Sequence, residues 1–556
     1  MTGNRVYGID LGTTYTCIAH VDDVSGKPTV HPNIEGELTT PSIVLFEDAE
    51  TRVVGREAKN SALLDAAHVV EMIKREIGRP GWRREFFGRE ESPEEISSYI
   101  VRKIVDDAEQ SSGQRPEKVV ITCPAYFDVP QREATAAAGR IAGLDVLEII
   151  NEPTAAAINY GMQDKGDQTV LVYDLGGGTF DITVIQISEG AIRVVATGGN
   201  DQLGGRDWDE EIVKYCAEQW RAEHPGAESG LMDSPDTLQD LWTRAESGKR
   251  SLSALPHTRI AVVHDGKQTA VQLTREKFEE LTAHLLENTI TFTHAVLDAA
   301  RRVGHPAVDR LLLVGGSTKM PQVEARLRDE FGIAIESHEP DFAVAKGAAI
   351  YGQKLAIDER IRHEIAGQTD QRPEEVDVAA TPRDVREAAE EAVAETLSLR
   401  LGTVRRFGGM AVTNVASHSF GVRAFTQDDT EVIANLVFAQ QPLPAKTTMT
   451  FGTKDGHTPE VELRIIENTS TEKIVRDLTA GEEVTCATLE MRAGLPPNSP
   501  VEVTFEMDGQ GRLHITGQDK SAGGKIVEAD LETDRVLSQD EVEQAIERGR
   551  GLRVIG

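Results

Sequence analysis

The chain has 556 residues, 59 of them Lys or Arg and 92 Asp or Glu, for a net charge of −33. So acidic a surface repels nucleic acid and anionic lipid, which argues against both as main partners, although solubility alone would explain the charge. The length is too great for one core and predicts three or four domain-sized units, with hydrophobic (39%) and charged (27%) fractions ordinary for a soluble protein.

The opening segment, "MTGNRVYGID", lacks a basic stretch followed by an apolar one, so no secretory signal is expected. No run approaches bilayer-spanning length, and Cys17, Cys123, Cys216 and Cys486 are scattered without a close pair. These features predict a cytoplasmic setting. The first strand ends at Asp10 and turns through Gly12 into Thr13 and Thr14, in "YGIDLGTTYT". An ordinary hairpin would also read this way. Further apolar runs, "KVVITCPAYF" (118–127), "TVLVYDLGGGTFDITVIQI" (169–187) and "RLLLVGGSTKM" (310–320), are each followed by helical spacing, as at 131–143 and 320–331. This alternation predicts an α/β domain over 1–355.

Residues 356–409 are highly charged, with a helix signal in "TPRDVREAAEEAVAETLSLR". They read as an acidic, partly helical linker or solvated spacer. Residues 410–532 carry short alternating segments, including "VELRII" (461–466), "VEVTFEM" (501–507) and "RLHIT" (512–516), and predict a β-sandwich. In 533–556, Ser538 and Glu541 form a capping box that predicts one short helix.

Asp10-Leu-Gly-Thr-Thr is echoed by Asp174-Leu-Gly-Gly-Gly-Thr about one domain later. Two related lobes would each offer a Gly-Thr hairpin to a shared cleft. Glycine lets backbone N–H groups approach an anion, and the threonine hydroxyls add donors. A strand-end Asp repels phosphate unless a partly hydrated Mg²⁺ lies between them. No GxxxxGK[ST] loop occurs, which disfavours a P-loop nucleotidase.

With these pieces, the chain resembles the heat shock protein 70 chaperone family, on the actin-like ATPase fold followed by an all-β substrate-binding-like sandwich. The resemblance rests on "GIDLGTTYT", "ITCPAYFDVPQREAT", "AGRIAGLDVLEIINEPTAAAINYG", "VYDLGGGTFDIT", "LGGRDWD" and "LLLVGGSTKMP". It implies ATP/ADP and Mg²⁺ as cofactors, with K⁺ beside the phosphates. Asp10, Gly12, Thr13, Thr14 and Tyr15 resemble the first phosphate loop, and Asp174, Gly176, Gly177, Gly178, Thr179 and Asp181 the second. Glu152 resembles the carboxylate that, with Asp10 and Asp174, orders hydrated Mg²⁺. Lys74 resembles the lysine that orients attacking water, although by its own surroundings it reads as a surface cation on an amphipathic helix. Gly204 and Gly205 come from "LGGRDWD"; Glu246, Lys249, Arg250 and Ser253 resemble the adenosine-contacting helix, and Gly315, Gly316, Ser317 and Asp341 its opposite wall. Pro124 and Arg132 resemble a pair that relays nucleotide state, with Pro130 falling between them where the family usually has no proline. In the sandwich, Val422, Phe425, Phe451, Val461 and Leu463 would line a cleft for extended peptide, or else form ordinary core.

The implied activity is ATP hydrolysis coupled to binding of unfolded or extended polypeptide, with a J-domain co-chaperone and a nucleotide exchange factor as partners. A nucleotide-switched scaffold for one partner and a small-molecule kinase of the same superfold are the alternatives. Three departures from the family pattern stand out. The linker "GGMAVTN" lacks the usual leucines, so weaker docking is expected. The sequence ends after one short helix, so a lidless, fast-releasing cleft is expected. The stretch from Lys74 to Ser98 is short, which implies a trimmed peripheral subdomain.

Overall fold

A computed structural model describes residues 5–556, apart from 23–24, 63–64, 163–165, 189, 226–230, 306, 338, 398, 454–459, 491–495, 510, 521–525 and 531–535. The first lobe is built from β1 (Val6–Asp10), β2 (Tyr15–Val21), β3 (Thr51–Val54), α1 (Pro93–Ser112), β4 (Lys118–Cys123), α2 (Val129–Ile141), β5 (Asp145–Asn151) and α3 (Glu152–Gly161). Its main sheet runs β5-β4-β1-β2 and ends on the short strand Pro28–Val30; β5, β4 and β1 are parallel, and β2 is antiparallel to β1. The second lobe contains β6 (Gln168–Leu175), β7 (Phe180–Ser188), β8 (Ala191–Asn200), α4 (Gly205–Glu223), α5 (Pro235–Ala254), α6 (Arg275–Arg302), β9 (Arg310–Val314), β10 (Ala334–Ser337) and α7 (Ala343–Thr369). Its sheet runs β10-β9-β6-β7-β8, with the same sequence of parallel and antiparallel pairs. The repeat inferred from the two Asp-Gly-Thr motifs is therefore a repeat of whole sheets, with the motifs at equivalent β1–β2 and β6–β7 turns.

Helices α3 and α7 lie between the sheets and share one core with both. Val6 and Ala19 of the first sheet and Val172 and Leu312 of the second pack there against Ala155, Ala348 and Ile350. The crossing is close enough that a Cβ on Gly347 would lie 1.7 Å from the Ala155 carbonyl oxygen.

The expected boundary at 355/356 falls inside α7. Residues 356–409 complete that helix and form α8 (Arg383–Leu397) and α9 (Leu401–Gly408). Ile357, Ile361, Ala389, Val393, Val404 and Phe407 are buried in the interlobe core, so this segment is a packed helical layer and not a solvated spacer. Its acidic face hid the fact that its apolar stripe already had a partner in α7.

β11 (Ala411–Thr413) adds a parallel strand to β8, in register Ala191↔Ala411 to Arg193↔Thr413. The linker thus docks by main-chain pairing, which needs no leucines. The sandwich follows. One sheet holds β12 (Ser419–Phe425), β13 (Glu431–Val437), β15 (Glu460–Asn468) and β16 (Gly481–Glu490), and the other holds β14 (Ala445–Gly452), β17 (Pro500–Met507), β18 (Leu513–Asp519) and β19 (Ile526–Asp530). It is seated on the nucleotide lobes. Val129 of α2 joins the sandwich core, Tyr126 packs edge-on against His418 with ring centroids 4.6 Å apart, and Gln440 exchanges two hydrogen bonds with the Thr197 backbone. Pro130 sits in the first turn of α2, where a missing N–H costs no helical bond, and Asp128 and Gln131 form a capping box around it.

The last segment forms α10 (Gln539–Gly549) and β20 (Arg553–Ile555). The Ser538–Glu541 capping box is present as expected. The helix packs on α2 of the first lobe, and β20 pairs in parallel with β3.

Candidate functional site

The β1–β2 and β6–β7 turns face one another across the cleft. A Cβ on Gly177 would lie 2.3 Å from the Thr14 hydroxyl, and one on Gly178 would lie 2.3 Å from the Thr13 methyl. Only glycine permits this approach. The Gly176 N–H closes the second turn on the Thr179 carbonyl at 3.0 Å, and the Gly205 and Arg206 N–H groups at the start of α4 bond the Gly176 and Gly177 carbonyls. Ser317 donates to the Gly176 carbonyl from the other side at 2.8 Å.

Behind the turns lies a cavity of about 380 Å³. Its lining includes Asp10, Gly12, Thr13, Thr14, Lys74, Glu152, Asp174, Gly176, Gly177 and Thr179 at one end and Glu246, Lys249, Arg250 and Ser253 at the other. Tyr15, Gly315, Gly316, Ser317 and Asp341 line it as well. Gly178, Asp181, Gly204 and Gly205 lie outside this lining. They build its wall, because Gly204 abuts the Gly178 backbone and Asp181 accepts the Tyr126 N–H at 3.2 Å.

The phosphate end concentrates charge. Lys74 Nζ is 2.5 Å from Glu152 Oε1, and both side chains are buried. Lys74 stands on a 3₁₀ turn, Ile73–Arg75, entered through Met72 at φ 61°, and not on the expected amphipathic helix. Burial, and then the Glu152 charge, push Asp10 up to about 7 despite Lys74. The same two causes push Asp181 to about 7 and hold Asp174 well above the carboxylate range. Burial lowers Lys74, but Glu152 and Asp10 outweigh it and hold the amine above its ordinary value.

Four carboxylates around one buried ammonium make a site short of positive charge. A divalent cation would supply it. Among the described residues no group of three or more His, Cys, Asp or Glu is placed to grip a bare ion. The donor set thus fits Mg²⁺ that keeps its waters and shares phosphate oxygens, and not an all-protein cage.

The other end is a mouth closed by charge. Lys59 Nζ is 2.5 Å from Glu246 Oε2, and Arg250 donates to the Tyr15 hydroxyl at 3.2 Å. Burial raises Glu246, but Lys59 prevails and holds it below the usual range. Lys249 donates to the Gly205 carbonyl at 2.6 Å and pairs with Asp209 at 2.8 Å. Arg206 lies over the Trp242 ring, 3.4 Å from its centroid. Lys59, Glu71, Arg206 and Asp209 also line the cavity and were missed in the sequence. Arg206 and Asp209 stood within "LGGRDWD"; for Lys59 and Glu71 no local signal existed.

The peptide-cleft residues fall differently. Val422 and Leu463 are only 2% and 6% exposed and belong to the sandwich core; Phe451 and Val461 pack against that core. Phe425 is 51% exposed. Of the two readings offered for Val422 and Leu463, their burial fits ordinary core, since both pack among the residues between the sheets. The alternation that marked them is what any half-buried strand shows.

The family model described as Hsp70 protein matches residues 6–84 and 80–365. The chain is 36% identical to "Chaperone protein DnaK" of one strain of Thermus thermophilus, over 98% of this chain and 83% of the relative. The same identity and coverage hold for the DnaK of a second Thermus thermophilus strain.

Proposed function

The chain belongs to the Hsp70 family, and on that footing we propose that it binds Mg·ATP in the interlobe cavity, hydrolyses it to ADP and phosphate, and carries extended polypeptide on its β-sandwich. The observation that carries the reading is the pair of facing Gly-Thr hairpins with one buried lysine among four carboxylates. Asp10, Glu152 and Asp174 would hold a hydrated Mg²⁺, which would supply counter-charge to phosphate oxygens. Thr13, Thr14, Thr179 and the N–H groups of the Gly turns hold the β- and γ-phosphates. Lys74, kept protonated by Glu152 and Asp10, orients the attacking water and stabilises charge on the γ-phosphate. Catalysis by positioning and electrostatics suffices, and no covalent intermediate is needed. No helix among the described residues is long and apolar enough to cross a membrane.

The test is the ATPase rate with and without a panel of extended peptides. Stimulation by many peptides supports a chaperone that couples its domains. The burial of Val422 and Leu463 favours a second reading, a nucleotide-switched scaffold for one protein partner. Hydrolysis indifferent to the whole panel would favour that reading, and absence of inorganic phosphate release would sink both.

A further inference from the structure

Arg206 lines the interlobe cavity, yet the phosphate hairpins and the carboxylate group make no use of it. It stands in the first turn of α4, where its N–H bonds the Gly177 carbonyl at 2.8 Å, so its backbone is fixed to the second phosphate turn. Its guanidinium lies over the Trp242 ring, 3.4 Å from the centroid, and that stack sets its direction. Among the described residues no oxygen accepts a hydrogen bond from it. Glu71 Oε2, from the first lobe, forms only a loose ion pair 3.6 Å from Nη1, too long for a hydrogen bond. Glu71 lines the same cavity and is itself held, because the Gln239 amide on α5 donates to its other oxygen. The cleft therefore carries an oriented fork of unused N–H donors on one lobe and a fixed carboxylate on the other.

The charges around Arg206 restrict what it can bind. Burial pulls the guanidinium below its ordinary value, with Glu71, Asp209 and Glu246 opposing that and Arg75 adding to it. Three carboxylates near one cation would repel a phosphate at this spot. A pair of neighbouring hydroxyls suits it, because each oxygen can accept from the guanidinium while a hydroxyl proton goes to a carboxylate. The placement agrees. Asp209 binds Lys249 at 2.8 Å, and Glu246 follows Trp242 by about one turn of α5, so Arg206 faces the end of the cavity lined by Glu246 and Lys249. On the footing of the nucleotide reading, we propose that Arg206 determines specificity for the sugar: its N–H donors bond the 2′- and 3′-oxygens of the bound nucleotide's ribose, and one of those hydroxyls donates to Glu71. Because Glu71 and Arg206 belong to different lobes, the sugar bridges the same cleft that the two hairpins close on the phosphates.

The test compares ADP with 2′,3′-dideoxy-ADP, which lacks both hydroxyls, by calorimetric titration of the full chain with Mg²⁺ present. Wild type should prefer ADP. Arg206→Ala should weaken ADP binding about 10-fold or more and leave dideoxy-ADP within about 2-fold of wild type, since a donor built for a hydroxyl has no partner on the ligand that lacks it. Arg206→Lys keeps the charge and loses the fork, and should behave like the alanine variant. Trp242→Leu removes the platform behind the guanidinium and should lose part of the preference, which Trp242→Phe should keep. Equal loss of both ligands in Arg206→Ala would overturn the proposal, because the contact would then be to phosphate or base. Unchanged ADP affinity in that variant, or full preference in Arg206→Lys, would overturn it as well. A wild-type chain that binds neither ligand would defeat the nucleotide reading and this proposal with it, whereas wild-type binding without preference would overturn this proposal alone.

Discussion

Gly204→Ala tests whether the second phosphate turn is held in place from behind. The position is extended, at φ −172°, so alanine is not strained by its backbone. The obstacle is steric: the new Cβ would lie 2.6 Å from the Gly178 N and C and 2.7 Å from its Cα. Ordinary contact begins near 3.4 Å, and backbone atoms cannot rotate away. The turn must therefore move by about 0.8 Å, toward Thr13 on the facing hairpin. Overpacking of this kind costs about 1–3 kcal/mol of stability. A displacement approaching 1 Å in a positioning element costs on the order of 100-fold in rate. The assay is single-turnover hydrolysis of radiolabelled ATP, with thermal unfolding run in parallel. Gly367→Ala serves as control, because its Cβ would meet nothing within 4 Å in α7. It should leave the rate alone and add about 0.5–1 kcal/mol of stability. A Gly204→Ala protein that is folded and hydrolyses at the wild-type rate would refute the reasoning, because the turn would then not depend on this contact.

Lys74→Ala should bind ATP nearly as well as the wild type, yet hydrolyse it about 10²–10³-fold more slowly in a single turnover; an unchanged rate removes Lys74 from its role. Asp10 and Asp181 are pushed to about 7, above their value near 3.8 in the unfolded chain, so they cost the metal-free fold stability that is lost as pH rises from about 4 to 7. Mg²⁺ relieves that cost, and the rise in Tm on adding saturating Mg²⁺ should be larger at pH 8 than at pH 6; the reverse order would contradict the assignment. Phe425→Ser should weaken peptide binding with stability within about 0.5 kcal/mol of wild type, whereas Val422→Ala should lose about 1–3 kcal/mol. Peptide affinity that ignores Phe425 would leave the cleft reading of these residues without support.

The features legible in the sequence were those that a few adjacent residues encode. The Asp-Gly-Thr turns announce themselves because glycine and a strand-end carboxylate serve no apolar packing, and their repetition pointed to the paired lobes. The Ser538 capping box fixed a helix start for the same local reason. Lys74 was misplaced on an amphipathic helix because what buries it is distant: Glu152 is 78 residues further on. Residues 383–397 showed their apolar stripe at helical spacing, but no pattern within them said that α7 would cover it. The sandwich alternation was legible as strands, and it could not tell a core valine such as Val422 from a groove-lining one.

The linker shows where a side-chain rule missed the mode of docking. A segment without leucines buries little apolar area, and on that basis docking was expected to be weak. β11 instead docks as a strand, and its residues Ala411–Thr413 are exposed or half-buried, as an edge strand tolerates. Each main-chain bond contributes only about 0.5–1.5 kcal/mol net, so a three-residue ladder by itself would open readily. It holds because neighbouring contacts share the load: Met410 is buried in the interlobe core, and the Gln440 amide brackets Thr197 further along β8. Alanine substitutions within β11 should therefore matter little, while proline at Val412 should matter more, since it removes a donor from the linker strand. Docking in this chain depends on backbone geometry, on Met410 within the linker and on Gln440 beyond it, and only the side chains of Ala411–Thr413 are nearly free to vary.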